Sequence, residues 1–121
     1  MNLKELKMKV RQFEIWVADL NPQIGKEPGK IRPVLVVQTD LLNRYHPSTL
    51  ICPITTNVQP GSELLRVHIA RGTCGLEESC DIVIDQVQAI DNTRLVKRAG
   101  RITEEIAEKI NFSLKVVFDL E

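Results

Sequence analysis

The chain has 121 residues with no break in composition, enough for one domain that buries roughly two-thirds of its unfolded surface without any disulfide framework. Sixteen basic and sixteen acidic side chains cancel, which excludes a uniformly positive polyanion-binding surface and confines any nucleic-acid contact to a local patch. The first nine residues carry lysines at 4, 7 and 9 but no long apolar core and no small-residue cleavage site. The expectation is a single domain over 1–121, with 1–9 as a flexible extension, in the cytoplasm rather than secreted or in a membrane.

In chain order, short apolar runs separated by Gly, Pro and Asn predict strands over Phe13 to Leu20, Pro33 to Thr39, Thr49 to Thr55, Leu64 to Ile69 and Ile82 to Ile90. Val34, Leu35, Val36 and Val37 do not alternate with polar residues, so that strand is expected to be covered on both faces. Between the first two strands, Asn21 to Ile31 forms a long connection with two glycines and two prolines. It carries Lys26, Glu27 and Lys30, and Arg32 follows; connections of this length are often functional. A short helical piece is expected around Asn92 to Arg98, ending near Gly100. At the C-terminus Ile106, Ala107, Ile110, Leu114 and Val117 fall at helical spacing behind Thr103 as N-cap, with Glu104 and Glu105 at the positive end of the helix.

Cys52, Cys74 and Cys80 are odd in number and lack Cys-x-x-Cys spacing or clustered histidines, so they read as reduced thiols, with Cys52 buried in a strand. No compact carboxylate or histidine set, Walker A loop or zinc spacing is present, so no metal and no cofactor are expected. His46 and His68 lie in a loop and a strand, and structural or surface roles fit them best. Arg66, Arg71, Lys97, Arg98 and Arg101 are scattered and read as solvated, although a phosphate track is the alternative. Trp16, Phe13 and Tyr45 are too few for a continuous base-stacking platform.

Three ordered segments carry a resemblance. Asp19-Leu20-Asn21-Pro22, Gly25-Lys26-Glu27 and Arg32-Pro33-Val34-Leu35-Val36-Val37 form the first, Pro53-Ile54-Thr55-Thr56-Asn57 the second, and Asp85-Gln86-Val87 with Ile90-Asp91 and Arg94-Leu95 the third. Together they resemble the MazF/PemK/Kid toxins over nearly the whole chain from about Val10. The resemblance implies a mainly β fold with a C-terminal helix, an SH3-like barrel of the MazF/CcdB type, and a homodimer. It also implies cleavage of single-stranded RNA at short sequences, and a cognate antitoxin whose acidic tail covers the RNA site.

Carried over by position, Arg32 and Thr55 correspond to the family's catalytic residues and Glu27 to its loop glutamate. Lys26, Thr56 and Gln86 stand where substrate contacts are expected. Three positions depart from the family pattern: Phe13 replaces a glycine ahead of Glu14, Lys26 stands where many members have Ser, and Cys80 stands where many have Ser.

The chemistry is coherent without a metal. Cleavage needs the 2′-hydroxyl deprotonated, charge on a pentacoordinate phosphorus stabilised and the 5′-oxygen protonated as it leaves. A guanidinium suits the second task and is a poor base, so Arg32 is assigned to transition-state stabilisation and Thr55 to a hydrogen bond on phosphate, while the base is left open with Glu27 its nearest candidate by loop position. Outside the motif each residue has a plainer reading. Arg32 could be a strand-start arginine bound to a carboxylate, Thr55 and Thr56 only β-formers, Lys26 and Glu27 a solvated loop pair, and Gln86 a buried amide bonded to backbone. Two other functions stand beside the nuclease: a toxin that acts by binding, as the related CcdB proteins do on DNA gyrase, and a non-catalytic SH3-like module.

Overall fold

The computed structural model of the chain describes residues 9–21 and 31–121. Residues 1–8 of the expected extension and residues 22–30 of the first connection, with Lys26 and Glu27, lie outside the described residues. Seven strands, all paired antiparallel, make up the sheet: β1 (Glu14–Asp19), β2 (Ile31–Val36), β3 (Ser48–Thr55), β4 (Arg66–Ile69), β5 (Cys80–Val83), β6 (Gln88–Asp91) and β7 (Leu95–Arg101). Among the described residues there are also two helices, α1 (Asp40–Asn43) and α2 (Glu104–Phe118), and two 3-10 turns, Ile84–Gln86 and Asn92–Arg94.

The sheet runs β4-β5-β3-β2-β1-β7, with β6 also on β3. One edge of β3 therefore serves two neighbours in succession. Ile54 and Ile51, three apart on β3, face Ile82 and Gln88, six apart on the adjoining chain, so three extra residues are extruded between β5 and β6. They form the turn Ile84–Gln86, beside Cys52 and Pro53. Pro53 has no N–H to give the ladder, which explains why pairing lapses there. The single strand expected over Ile82 to Ile90 is thus two strands with a turn between them.

Both faces of the central strands are buried, as expected from the unbroken apolar run: Val34, Leu35 and Val36 are each 0% exposed. Ile15, Leu35, Cys52, Ile54, Val67 and Ile82 face α2, which contributes Ile110 and packs Ile106, Ala107, Leu114 and Val117 around it. Trp16, Ala18, Val34, Val36, Ile51, Ile90 and Leu95 form a second cluster on the opposite face. Thr103 caps α2 as expected, its hydroxyl accepting the Ile106 N–H at 3.2 Å, and Asp119 closes it in a left-handed conformation.

Two further expectations are corrected. The helical piece expected over Asn92 to Arg98 is only the 3-10 turn Asn92–Arg94, capped by Asp91, followed by the extended β7, which pairs with β1 through two register shifts. The strand expected to reach Thr39 ends at Val36, because the Thr39 side chain accepts the Leu41 N–H and starts α1.

Phe13 enters β1 at φ 72°, the left-handed region that glycine occupies freely. Its N–H donates to Val36 at 2.7 Å and its carbonyl accepts from Ile102 at 3.1 Å, so the entry turn is held from both sides. Gly75 and Gly100 lie back to back: a Cβ on Gly100 would overlap the Cys74 carbonyl, and one on Gly75 the Ala99 carbonyl.

Candidate functional site

The β2–β3 pairing ends at Val34 opposite Pro53. Two residues further along the same antiparallel register, Arg32 stands opposite Thr55, and the alternation of strand side chains puts both on the face away from α2. Arg32 is exposed, and among the described residues its guanidinium has no hydrogen-bond or ion-pair partner. No carboxylate among the described residues ties Arg32 down. Thr55 is half-buried at the end of β3 and its hydroxyl oxygen accepts the Asn57 N–H at 3.1 Å, which leaves its O–H available as a donor. Thr56 follows it, exposed.

Beyond Thr55 the register continues into two more strands. Thr55 faces Asp81 on β5, and Asp81 faces His68 on β4. Arg32, Thr55, Asp81 and His68 therefore form one polar row across four strands. Asp81 is only 2% exposed and is the hub of this row. It accepts hydrogen bonds from the Gln59 N–H at 2.8 Å, from His68 Nδ1 at 3.0 Å and from an Arg66 guanidinium nitrogen at 3.4 Å. Burial pushes its carboxyl up, but these three donors outweigh burial and hold it below the usual carboxylate range.

The remaining residues are placed less centrally. Gln86 is exposed at the end of the extruded turn, not a buried strand amide, and sits on the chain flanking Pro53. Lys26 and Glu27 lie outside the described residues, but the stem leading to them is anchored. Arg94 donates to the carbonyls of Asp19 at 3.1 Å and Asn21 at 2.7 Å, and the Asp19 carboxylate accepts the Asn21 N–H at 3.0 Å. The Cys52 thiol is pushed up to about 12 by burial and then by Asp85, which makes it inert. Among the described residues no cluster of three or more His, Cys, Asp or Glu is arranged to hold a metal ion, and no helix is long and apolar enough to cross a membrane.

The hub Asp81 and its link to His68 and Arg66 escape the sequence reading. One signal was available: an aspartate inside the apolar run Cys80 to Ile84 must have partners if that run is buried. The partners themselves lie 13 and 15 residues away and become visible only through strand pairing.

Comparison with known proteins adds to this geometry. Residues 11–118 match the family model for the PemK-like, MazF-like toxin of type II toxin-antitoxin systems. The chain is 32% identical over 109 residues to endoribonuclease EndoA of Bacillus subtilis, covering 90% of this chain and 94% of that protein. It is 26% identical over 111 residues to endoribonuclease MazF of Staphylococcus saprophyticus, covering 92% of each. A MazE–MazF structure from Deinococcus radiodurans shares the fold with a TM-score of 0.79 at 16% identity, over 93% of this chain and 98% of that one. A mycobacterial endoribonuclease in complex with its cognate antitoxin does so with a TM-score of 0.73 at 18% identity, over 93% and 96%.

Proposed function

The chain belongs to the PemK-like, MazF-like toxins of type II toxin-antitoxin systems, and on that premise we propose that it is an endoribonuclease cutting single-stranded RNA by attack of the substrate's own 2′-hydroxyl, without a metal. The observation that carries the reading is the Arg32 guanidinium, unpartnered among the described residues, standing in register with the Thr55 hydroxyl on one sheet face. A planar, permanent cation can grip two phosphate oxygens as charge builds on them. The Thr55 hydroxyl donates to a third from a rigid strand end, so two fixed donors meet the developing charge. Arg32 also offers a proton to the departing 5′-oxygen.

Glu27, on the connection whose stem Arg94 holds, is the base, and Lys26, Thr56 and Gln86 contact the RNA. The products are a 2′,3′-cyclic phosphate and a 5′-hydroxyl. The protein acts in the cytoplasm as a homodimer, and its cognate antitoxin binds over the RNA site. The relatives named endoribonucleases, and the neighbouring folds in complex with MazE or a cognate antitoxin, support this reading.

The test is cleavage of a single-stranded RNA by purified protein in EDTA, with the product ends sequenced. Wild type is expected to cut, Arg32→Ala and Thr55→Ala to be silent at unchanged melting temperature, and a 2′-deoxy substitution at the cut nucleotide to block the reaction. Intact RNA with wild type overturns the nuclease reading; full activity in either variant overturns the residue assignment.

A further inference from the structure

We propose that His68, held by Asp81, accepts a hydrogen bond through its Nε2 from an N–H of an RNA base near the cut; this rests on the nuclease reading above. The polar row puts His68 on the same face as Arg32 and Thr55, two strands beyond Thr55. Adjacent strands lie about 4.8 Å apart, so the two backbone positions are about 10 Å apart. That distance spans about three nucleotides at a stacked rise of about 3.4 Å, and fewer in an extended strand.

The ring's chemistry follows from its partner. An ionised carboxylate only accepts, so the Nδ1 facing Asp81 at 3.0 Å carries the proton, and in the neutral ring Nε2 is left with a lone pair. Nε2 has no partner among the described residues, and the His68 side chain is 51% exposed. The neighbouring Arg66 is already committed, donating to the Asn57 carbonyl at 2.8 Å and to Asp81.

A cavity of about 800 Å³ opens beside this ring. Its walls carry Glu63, Glu105 and Glu108 against Arg66 and Lys109, an acidic balance that disfavours a phosphate and suits the N–H edges of a base. Phe112 of α2, 62% exposed, also lines this cavity. An acceptor nitrogen in an acidic recess takes a base through an N–H donor, whether an exocyclic amino group of adenine, cytosine or guanine or the ring N–H of guanine or uracil, and leaves a base that turns only acceptors toward it unmatched. His68 is the reading residue and Asp81 the positioning residue that fixes its tautomer and aim.

The experiment compares wild type, His68→Ala and His68→Gln on a library of RNAs randomised around the cut, followed by steady-state kinetics on the preferred sequence. For His68→Ala we expect the base preference to vanish at one flanking position only. KM should rise about tenfold, the loss of one base hydrogen bond, with kcat little changed and the melting temperature unchanged. His68→Gln, whose amide oxygen can also accept, is expected to recover part of the preference. A wild-type enzyme that cuts, with His68→Ala showing the same KM and the same sequence preference, overturns this proposal alone. RNA left intact by wild type overturns the nuclease reading and this proposal with it.

Discussion

Phe13 offers a test of backbone strain that its own side chain does not confuse. The comparison is between Phe13→Ala and Phe13→Gly. Both remove the ring that packs against the cluster under α2, so that loss cancels between them. They differ only in how each residue tolerates φ 72°, which the hydrogen bonds to Val36 and Ile102 prevent from relaxing. A residue with a Cβ is disfavoured in the left-handed region by about 1–2 kcal/mol. Glycine escapes this but returns about 0.5–1 kcal/mol through its greater freedom in the unfolded chain. Glycine should therefore be the more stable of the two by about 0.5–1 kcal/mol, which for a domain of this size is a melting-temperature difference of about 2–4 °C. At an ordinary position the order is reversed, with alanine ahead by a similar amount. Thermal and urea denaturation of the two variants measure the difference, and an alanine variant equal to or more stable than the glycine variant would show that the entry turn stores no strain.

Gly100→Ala is expected to destabilise the fold by about 1–3 kcal/mol, because its Cβ meets the Cys74 backbone and not a flexible side chain; urea midpoints within error of wild type would contradict the close approach. Asp81 has a folded pKa below its ordinary 3.8, so its contribution is present above about pH 4 and is lost as pH falls through the lowered folded value. Urea midpoints measured from pH 6 to pH 2.5 should decline more steeply in wild type than in Asp81→Asn, and parallel curves would count against the hub. Cys52, with its thiol pushed up to about 12, is expected to stay unmodified by iodoacetamide at pH 8 until the protein is unfolded; its labelling in the native state by mass spectrometry would contradict its burial.

What could be read in the chain follows from whether the deciding interactions are local. β1, β3 and α2 are legible because their apolar residues recur at the period of the element, and because the Thr103 cap lies within three residues of the N–H it binds. β7 was misread as helical because it is an edge strand in which only Leu95 is buried, so no alternation marks Leu95–Arg101. The run from Ile82 to Ile90 looks continuous because Ile84 is buried although it sits in a turn, and nothing within that segment announces that Pro53, on another strand, cannot pair with it. Arg32 and Thr55 are candidates that motifs single out, whereas the Asp81 hub is not, since it depends on β4 and β5 aligning so that His68 meets a carboxylate.

The row from Arg32 to His68 is assembled sideways, by strand alignment rather than by any loop. Sliding β3 by a single step against its neighbours would turn Ile54 outward and drive the Thr55 hydroxyl into the apolar layer under α2, while Asp81 would lose its place in the row. The same error that exposes an isoleucine would also break up the polar row, so the packing and the row are lost together.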